Sequence, residues 1–131
     1  MNMESREKNK KFGFKRFLRS FKFSYDGLKY AYKFEQSMTL HLVCTILVII
    51  LGIWLQISPL EWAVCIIGVG LIMALELLNT AIEAVVDLAS PEIHPLAKIA
   101  KDTASAAVGM YCLIAFIAGC FIFGPKIIAL L

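Results

Sequence analysis

The residues best suited to chemistry are Glu76, Asn79, Glu83 and Asp87, in the run LELLNTAIEAVVD at 75–87. An α-helix turns about 100° per residue, so with Glu76 at zero, Asn79 falls near −60°, Glu83 near −20° and Asp87 near +20°. All four therefore share one helix face. The segment continues directly from EWAVCIIGVGLIMA, an uncharged run that reads as a membrane span. An ionisable group near the centre of a bilayer costs about 2.5–3.5 kcal/mol on insertion scales, so acids on one membrane face imply a compensating cation, a water-filled cavity or facing basic groups. A functional polar site is the first reading. An ion-pair network that only fixes helix packing is the alternative.

Depth follows from chain direction. At about 1.5 Å rise per residue, Glu83 lies roughly 6 Å and Glu76 roughly 16 Å deeper than Asp87. Such a column can meet a water-soluble reagent at its mouth and a lipid headgroup further in. Lys98, Lys101 and Asp102 follow in AKIAKDTASAAV, with Ser105 and small alanines that permit close helix approach. Lys101 can bind phosphate as a point charge, and Asp102 can hold that lysine or contact the ligand. Lys98 fits a side chain snorkelling at the membrane edge. Glu35, at the start of the first apolar run, can join Glu83 in holding a divalent cation. Two carboxylates suit Mg²⁺, which keeps waters and phosphate oxygens as its other ligands. His94, between two prolines, has no metal-ligand spacing to the acids. Nucleotide contact and plain surface exposure both remain open for it.

The elements that must position these groups are helices. The 131 residues are 60% hydrophobic, too apolar for an ordinary soluble domain, and fit one compact unit, 1–131. Apart from His41, no charged residue type occurs between Gln36 and Leu60, and none occurs at Trp62–Leu75 or Thr103–Pro125. A crossing needs roughly 20 apolar residues, so the expected transmembrane helices are 36–55, 60–89 and 97–124. Ahead of them, Phe14, Phe17, Leu18, Phe21, Tyr25 and Leu28 recur at helical spacing with Arg16, Arg19, Lys22 and Lys29 mostly between. This predicts an amphipathic surface helix within 1–33, lying among lipid headgroups or docked on the rest of the protein. Gly27 marks a bend before the first span. Pro91 and Pro95 end the second span, and Gly124–Pro125 stops the third.

Ten of the thirteen Lys and Arg residues precede residue 34, without a cleavage pattern for a signal peptide after them. The positive-inside rule keeps this end cytoplasmic, in the cell inner or plasma membrane. The QISPLE turn is then outside and the SPEIHPLAKIAKD connection inside. Lys126 falls outside, against the rule. The four cysteines lie in apolar runs without C-x-x-C spacing and read as apolar packing residues. GVG at 68–70 lies within a helix and lacks a P-loop continuation. The adjoining spans argue against a nucleic-acid partner for the basic, aromatic segment.

E-x-x-N-T-A-I-E-x-x-x-D at 76–87, His94, and A-K-D-x-x-S-A-A-V at 100–108 together resemble the prokaryotic diacylglycerol kinase family, which includes the Gram-positive undecaprenol kinases. The likeness extends over the basic helix, Gly27, Glu35, the spans and the late GPK. It implies an all-α integral membrane homotrimer whose cytoplasmic sites, between neighbouring protomers, transfer the γ-phosphate of MgATP to a lipid hydroxyl. By the same resemblance, Glu76 is the catalytic base, Glu35 and Glu83 hold the metal, and Asn79 orients the site. Asp87, Glu92, Ile93, His94, Lys101 and Asp102 match nucleotide positions. Arg16 and Phe23 match surface-helix positions near ATP and lipid, and Ser105 lies near the lipid. The Gram-negative branch has a second acid where this chain has His41. His41 and the tail FIFGPKIIALL resemble the Gram-positive branch and favour undecaprenol, for carrier-lipid supply to the cell wall, over diacylglycerol. A small proton-coupled transporter is the alternative of a different class. It would place its acids near mid-membrane with access from both sides.

Overall fold

The computed structural model describes residues 13–92 and 94–130. Ile93 and the polar N-terminal run 1–12 lie outside the described residues. Four helices follow in chain order: α1 (Phe14–Phe34), α2 (Gln36–Trp54), α3 (Pro59–Ala89) and α4 (Pro95–Ile128). The last three are long and apolar enough to cross a membrane. The helix bounds lie within two residues of 36–55, 60–89 and 97–124, except that α4 runs four residues past 124.

Three punctuation marks build this architecture. The first is Glu35, whose extended backbone (φ −101°, ψ 113°) separates α1 from α2. The helix runs straight through Gly27, so the expected bend lies eight positions later than Gly27 suggested. Glycine permits a break without enforcing one. Here the break falls where packing begins, between buried Ala31 and fully buried Met38. The last turn of α1 docks on α3, with the Tyr32 hydroxyl 3.9 Å from Met73 Sδ. The rest of α1 is exposed on both its aromatic and its basic sides, as a headgroup helix requires.

The second mark is the turn at 55–58. Gln56 has φ 49°, its N–H donates to Ile53 O, and the Ile57 N–H donates to Gly52 O. That double bond pattern is a Schellman closure, with glutamine where glycine is usual. Ser58 then caps α3 reciprocally: its hydroxyl accepts from Glu61 N at 3.3 Å, and its own N–H donates to the Glu61 carboxylate at 2.6 Å. Ile57, Ile122 and Phe123 form a buried cluster beneath this turn, joined by Leu51, Trp62 and Cys65. Gly52 is required here. A Cβ on it would lie 2.6 Å from the Trp62 ring and 3.1 Å from Ile57 Cδ1. Alanine gains about 1 kcal/mol of helix propensity over glycine, but overpacking costs about 1–3 kcal/mol. Gly52→Ala is therefore expected to lower the thermal unfolding midpoint in detergent, and Trp62→Leu in the same chain to remove the penalty.

The third mark is Pro125, which lies inside α4 rather than ending it. The helix continues to Ile128 and is closed by Ala129 N donating to Pro125 O at 3.1 Å. A proline this close to the helix end forfeits one backbone bond, and its carbonyl still accepts normally. The extra turn carries Lys126 to Glu61, with Nζ and Oε2 3.4 Å apart. This pair accounts for a lysine the charge rule left on the wrong side. It also suits both helix dipoles, with an acid in the first turn of α3 and a base in the last turn of α4.

Candidate active site

At the opposite end of the α3–α4 hairpin the charges run against the dipoles. Asp87 is near the C-terminus of α3 and Lys101 near the N-terminus of α4, joined at 2.6 Å. The last turn of α3 has no base, and the first turn of α4 has no acid. Asp87 in the last turn of α3 and Lys98 in the first turn of α4 weaken the helix ends by a few tenths of a kcal/mol or more.

The connection between these helices is built from short-range bonds. The Ser90 hydroxyl donates to Glu92 O at 3.0 Å. His94 is the N-cap of α4, its Nδ1 accepting from Leu96 N at 3.2 Å. The sequence leaves nucleotide contact and surface exposure open for His94 and does not point to this cap. Pro95 occupies the first helical position, where its missing N–H costs nothing. A shallow pocket of about 280 Å³ is lined here by Asp87, Glu92, His94, Lys98, Lys101 and Asp102 among others. Asp102 does not hold Lys101: it pairs with Lys98, one helical turn back, while Lys101 reaches across to Asp87.

Deeper along the same face of α3 stand Glu83, Asn79 and Glu76. The Asn79 amide donates from Nδ2 to Glu83 Oε1 at 2.9 Å. Its nitrogen must face the carboxylate, so its oxygen faces away. That oxygen, Oδ1, is buried and has no hydrogen-bond partner. An unsatisfied buried carbonyl is uncommon and costs about 1–3 kcal/mol. Glu76 is the one buried charged residue, at 4% exposure, among the described residues. Glu35 and Glu83 both lie within electrostatic reach of it. Glu35 spends no carboxylate oxygen on capping α2, although it sits at the N-cap position. Among the described residues no three carboxylate, imidazole or thiol groups converge as a ready-made metal cage.

A family model for prokaryotic diacylglycerol kinase matches residues 22–123. The chain belongs to the prokaryotic diacylglycerol kinase family. Its relatives include the undecaprenol kinase of Bacillus subtilis (strain 168), 39% identical over 112 residues, covering 86% of this chain and 91% of the relative. The diacylglycerol kinase of Helicobacter pylori (strain J99) is 38% identical over 118 residues, covering 90% and 89%. The diacylglycerol kinase of Escherichia coli (strain K12) is 36% identical over 110 residues, covering 84% and 90%. Membership makes this chain a membrane lipid kinase that draws on a nucleotide phosphoryl donor, and it sets the transporter reading aside.

For a kinase of this family the layout divides the expected site residues into two groups. Glu76, Asn79, Glu83, Asp87, Lys101, Asp102 and His94 line one face and the mouth of one hairpin, and Glu35 joins them at the α1–α2 break. Arg16 and Phe23 are elsewhere. Along continuous α1 they lie about 28 Å and 18 Å from Glu35, at 1.5 Å per residue. Ser105 faces out from α4. Ile93 lies outside the described residues. Sequence reasoning missed one neighbour of Glu76: His41, on α2, with Nε2 3.9 Å from Glu76 Oε2. Periodicity assigns a residue to a face of its own helix but not to a partner on the next helix, so spacing held no signal for this pair.

Proposed function

We propose that the chain uses MgATP to phosphorylate a membrane lipid alcohol, undecaprenol above others, at the mouth of the α3–α4 hairpin. The observation that carries this is the acid column itself. Buried Glu76, the Glu83–Asn79 pair and the Asp87–Lys101 pair descend one helix face from an ionic mouth into the membrane.

Phosphoryl transfer through a loose transition state needs positioning and charge neutralisation more than covalent chemistry. The site residues fit Mg²⁺. Their donors are hard oxygens: two carboxylates are available in Glu35 and Glu83, and Asn79, bonded to Glu83 through its nitrogen, keeps a buried Oδ1 without a partner among the described residues. Bound there, Mg²⁺ would neutralise charge on the phosphate oxygens. Lys101 leaves Asp87 to meet phosphate, and Asp87, Glu92, His94 and Asp102 surround the nucleotide. Glu76 accepts the proton of the lipid hydroxyl as its oxygen bonds to the γ-phosphorus. The bond from that phosphorus to the bridging oxygen breaks, and ADP leaves with the electron pair. General-base assistance of this kind contributes roughly 10²–10⁴-fold.

The rest of the site comes from a neighbouring copy. Arg16, Phe23 and Ser105 complete nucleotide and lipid contacts in a homotrimer, which also covers membrane faces that one copy leaves open. The basic end, including α1, faces the cytoplasm of the inner or plasma membrane, and residues 1–131 act as one kinase domain. Undecaprenol is favoured by His41 and by the tail from Phe121, both similar to the Gram-positive branch. The product, undecaprenyl phosphate, would supply carrier lipid for the cell wall. Diacylglycerol is the competing acceptor, supported by the names of the Helicobacter and Escherichia relatives. Label transfer from γ-labelled ATP to undecaprenol and dioleoylglycerol, side by side with purified protein, decides between them. The expected result is a higher kcat/KM for the polyprenol; equal or faster turnover of the glyceride reverses the order.

A further inference from the structure

His41 is the imidazole that faces Glu76, and the reaction outlined above gives it no task. Its side chain is 14% exposed and that of Glu76 is 6% exposed, so both groups are withdrawn from water. Their nearest atoms, Nε2 and Oε2, are 3.9 Å apart. That is too far for a hydrogen bond between them, which needs about 2.7–3.2 Å. It is close to the spacing that lets one oxygen atom sit about 2.8 Å from each. The nearby Thr45 hydroxyl is spent on the His41 carbonyl, at 2.7 Å.

His41 also closes one end of an apolar groove. About 730 Å³ of groove runs between α2 and α4 over α3. Its walls are apolar, among them Val48, Leu51, Ile72, Phe123 and Ile127. From His41 to Leu51 is ten helical residues, roughly 15 Å of groove along the span. A long-chain alcohol lying in it with its hydroxyl towards the cytoplasmic end would present that hydroxyl to the His41–Glu76 gap.

We infer that His41 is a substrate-binding residue that holds the acceptor hydroxyl against Glu76. In its Nε2–H tautomer the imidazole donates to the alcohol oxygen, while the hydroxyl donates to Glu76. One donor and one acceptor then fix the oxygen from two helices. Productive geometry depends on such fixing, because a reacting atom misplaced by about 1 Å can cost 10²-fold. Without the imidazole the hydroxyl keeps its bond to Glu76 but can swing about it. The inference rests on the lipid-alcohol reading above and adds a residue to it.

The test compares His41→Leu with His41→Gln in the full chain. Glutamine keeps an N–H donor at similar reach; leucine keeps only bulk. Two readouts are taken: steady-state transfer with the lipid alcohol and MgATP varied separately, and binding of farnesol, a short prenol, without nucleotide. His41→Leu is expected to lower kcat/KM for the lipid roughly ten- to hundredfold and to weaken farnesol binding. Its KM for ATP should stay within about twofold, which also shows an intact site. His41→Gln is expected to recover most of both losses. Equal behaviour of the two variants, or a loss that falls on ATP instead, overturns the inference. If the wild-type chain transfers no phosphate to any lipid alcohol, the lipid-kinase reading fails. The farnesol comparison still decides the role of His41.

Discussion

Glu76→Gln is expected to lower phosphoryl transfer to the lipid by roughly 10²–10⁴-fold, the range of a lost general base. The substitution keeps size and hydrogen-bonding capacity and removes the site that takes the proton. Stability should not fall. Glu76 is buried with the like charges of Glu35 and Glu83 in reach, offset in part by His41 at 3.9 Å, and neutralising it relieves repulsion and burial of charge at the cost of that one attraction. The thermal midpoint of the variant should equal or exceed that of the parent chain, while nucleotide binding is retained. Loss of activity together with loss of fold would assign Glu76 to packing. Full activity would remove it from the base role.

Glu83→Gln is expected to lose activity by about 100-fold or more, through a different step. Two functions fail at once: a carboxylate proposed to hold Mg²⁺ becomes neutral, and the acceptor that orients Asn79 is weakened. Metal neutralisation of transferring phosphate supplies several kcal/mol, and each 1.36 kcal/mol is tenfold in rate. The signature that separates this variant from Glu76→Gln is its metal dependence. Raising Mg²⁺ should restore part of the Glu83→Gln loss and none of the Glu76→Gln loss. Identical magnesium titrations for the two variants would contradict the division of roles.

Much of this arrangement is legible in the sequence. Charge-free runs located the membrane helices, because an unsatisfied backbone in lipid is too costly for anything but a helix over that length. The spacing 76, 79, 83, 87 put the polar groups on one face, and α3 delivers that face intact. Features that depend on two elements meeting were not legible. Lys126 reads as an error of topology until the extra turn past Pro125 brings it to Glu61. Asp102 and Lys101 are adjacent in sequence and so point in different directions on a helix. Their partners, Lys98 and Asp87, follow from i,i+4 geometry in one case and from hairpin packing in the other. Gln56 closes a helix where glycine is the usual signal, and His94 caps one where a nucleotide contact was equally open. His41 could be placed on α2 by counting, but its distance from Glu76 is set by how α2 and α3 are rotated against each other.

The ionic mouth and α1 lie at the same end of the bundle, so the catalytic column should open to one side of the membrane only. The direct test reconstitutes the chain in vesicles holding both undecaprenol and diacylglycerol, separates the two orientations by protease cleavage within the N-terminal basic segment, and supplies γ-labelled MgATP to the outer face alone. Labelled lipid phosphate should form only where the basic end faces the nucleotide, and not with Glu76→Gln. Label in neither lipid, or equal labelling from both orientations, would contradict a kinase site reached through the column of acids on α3.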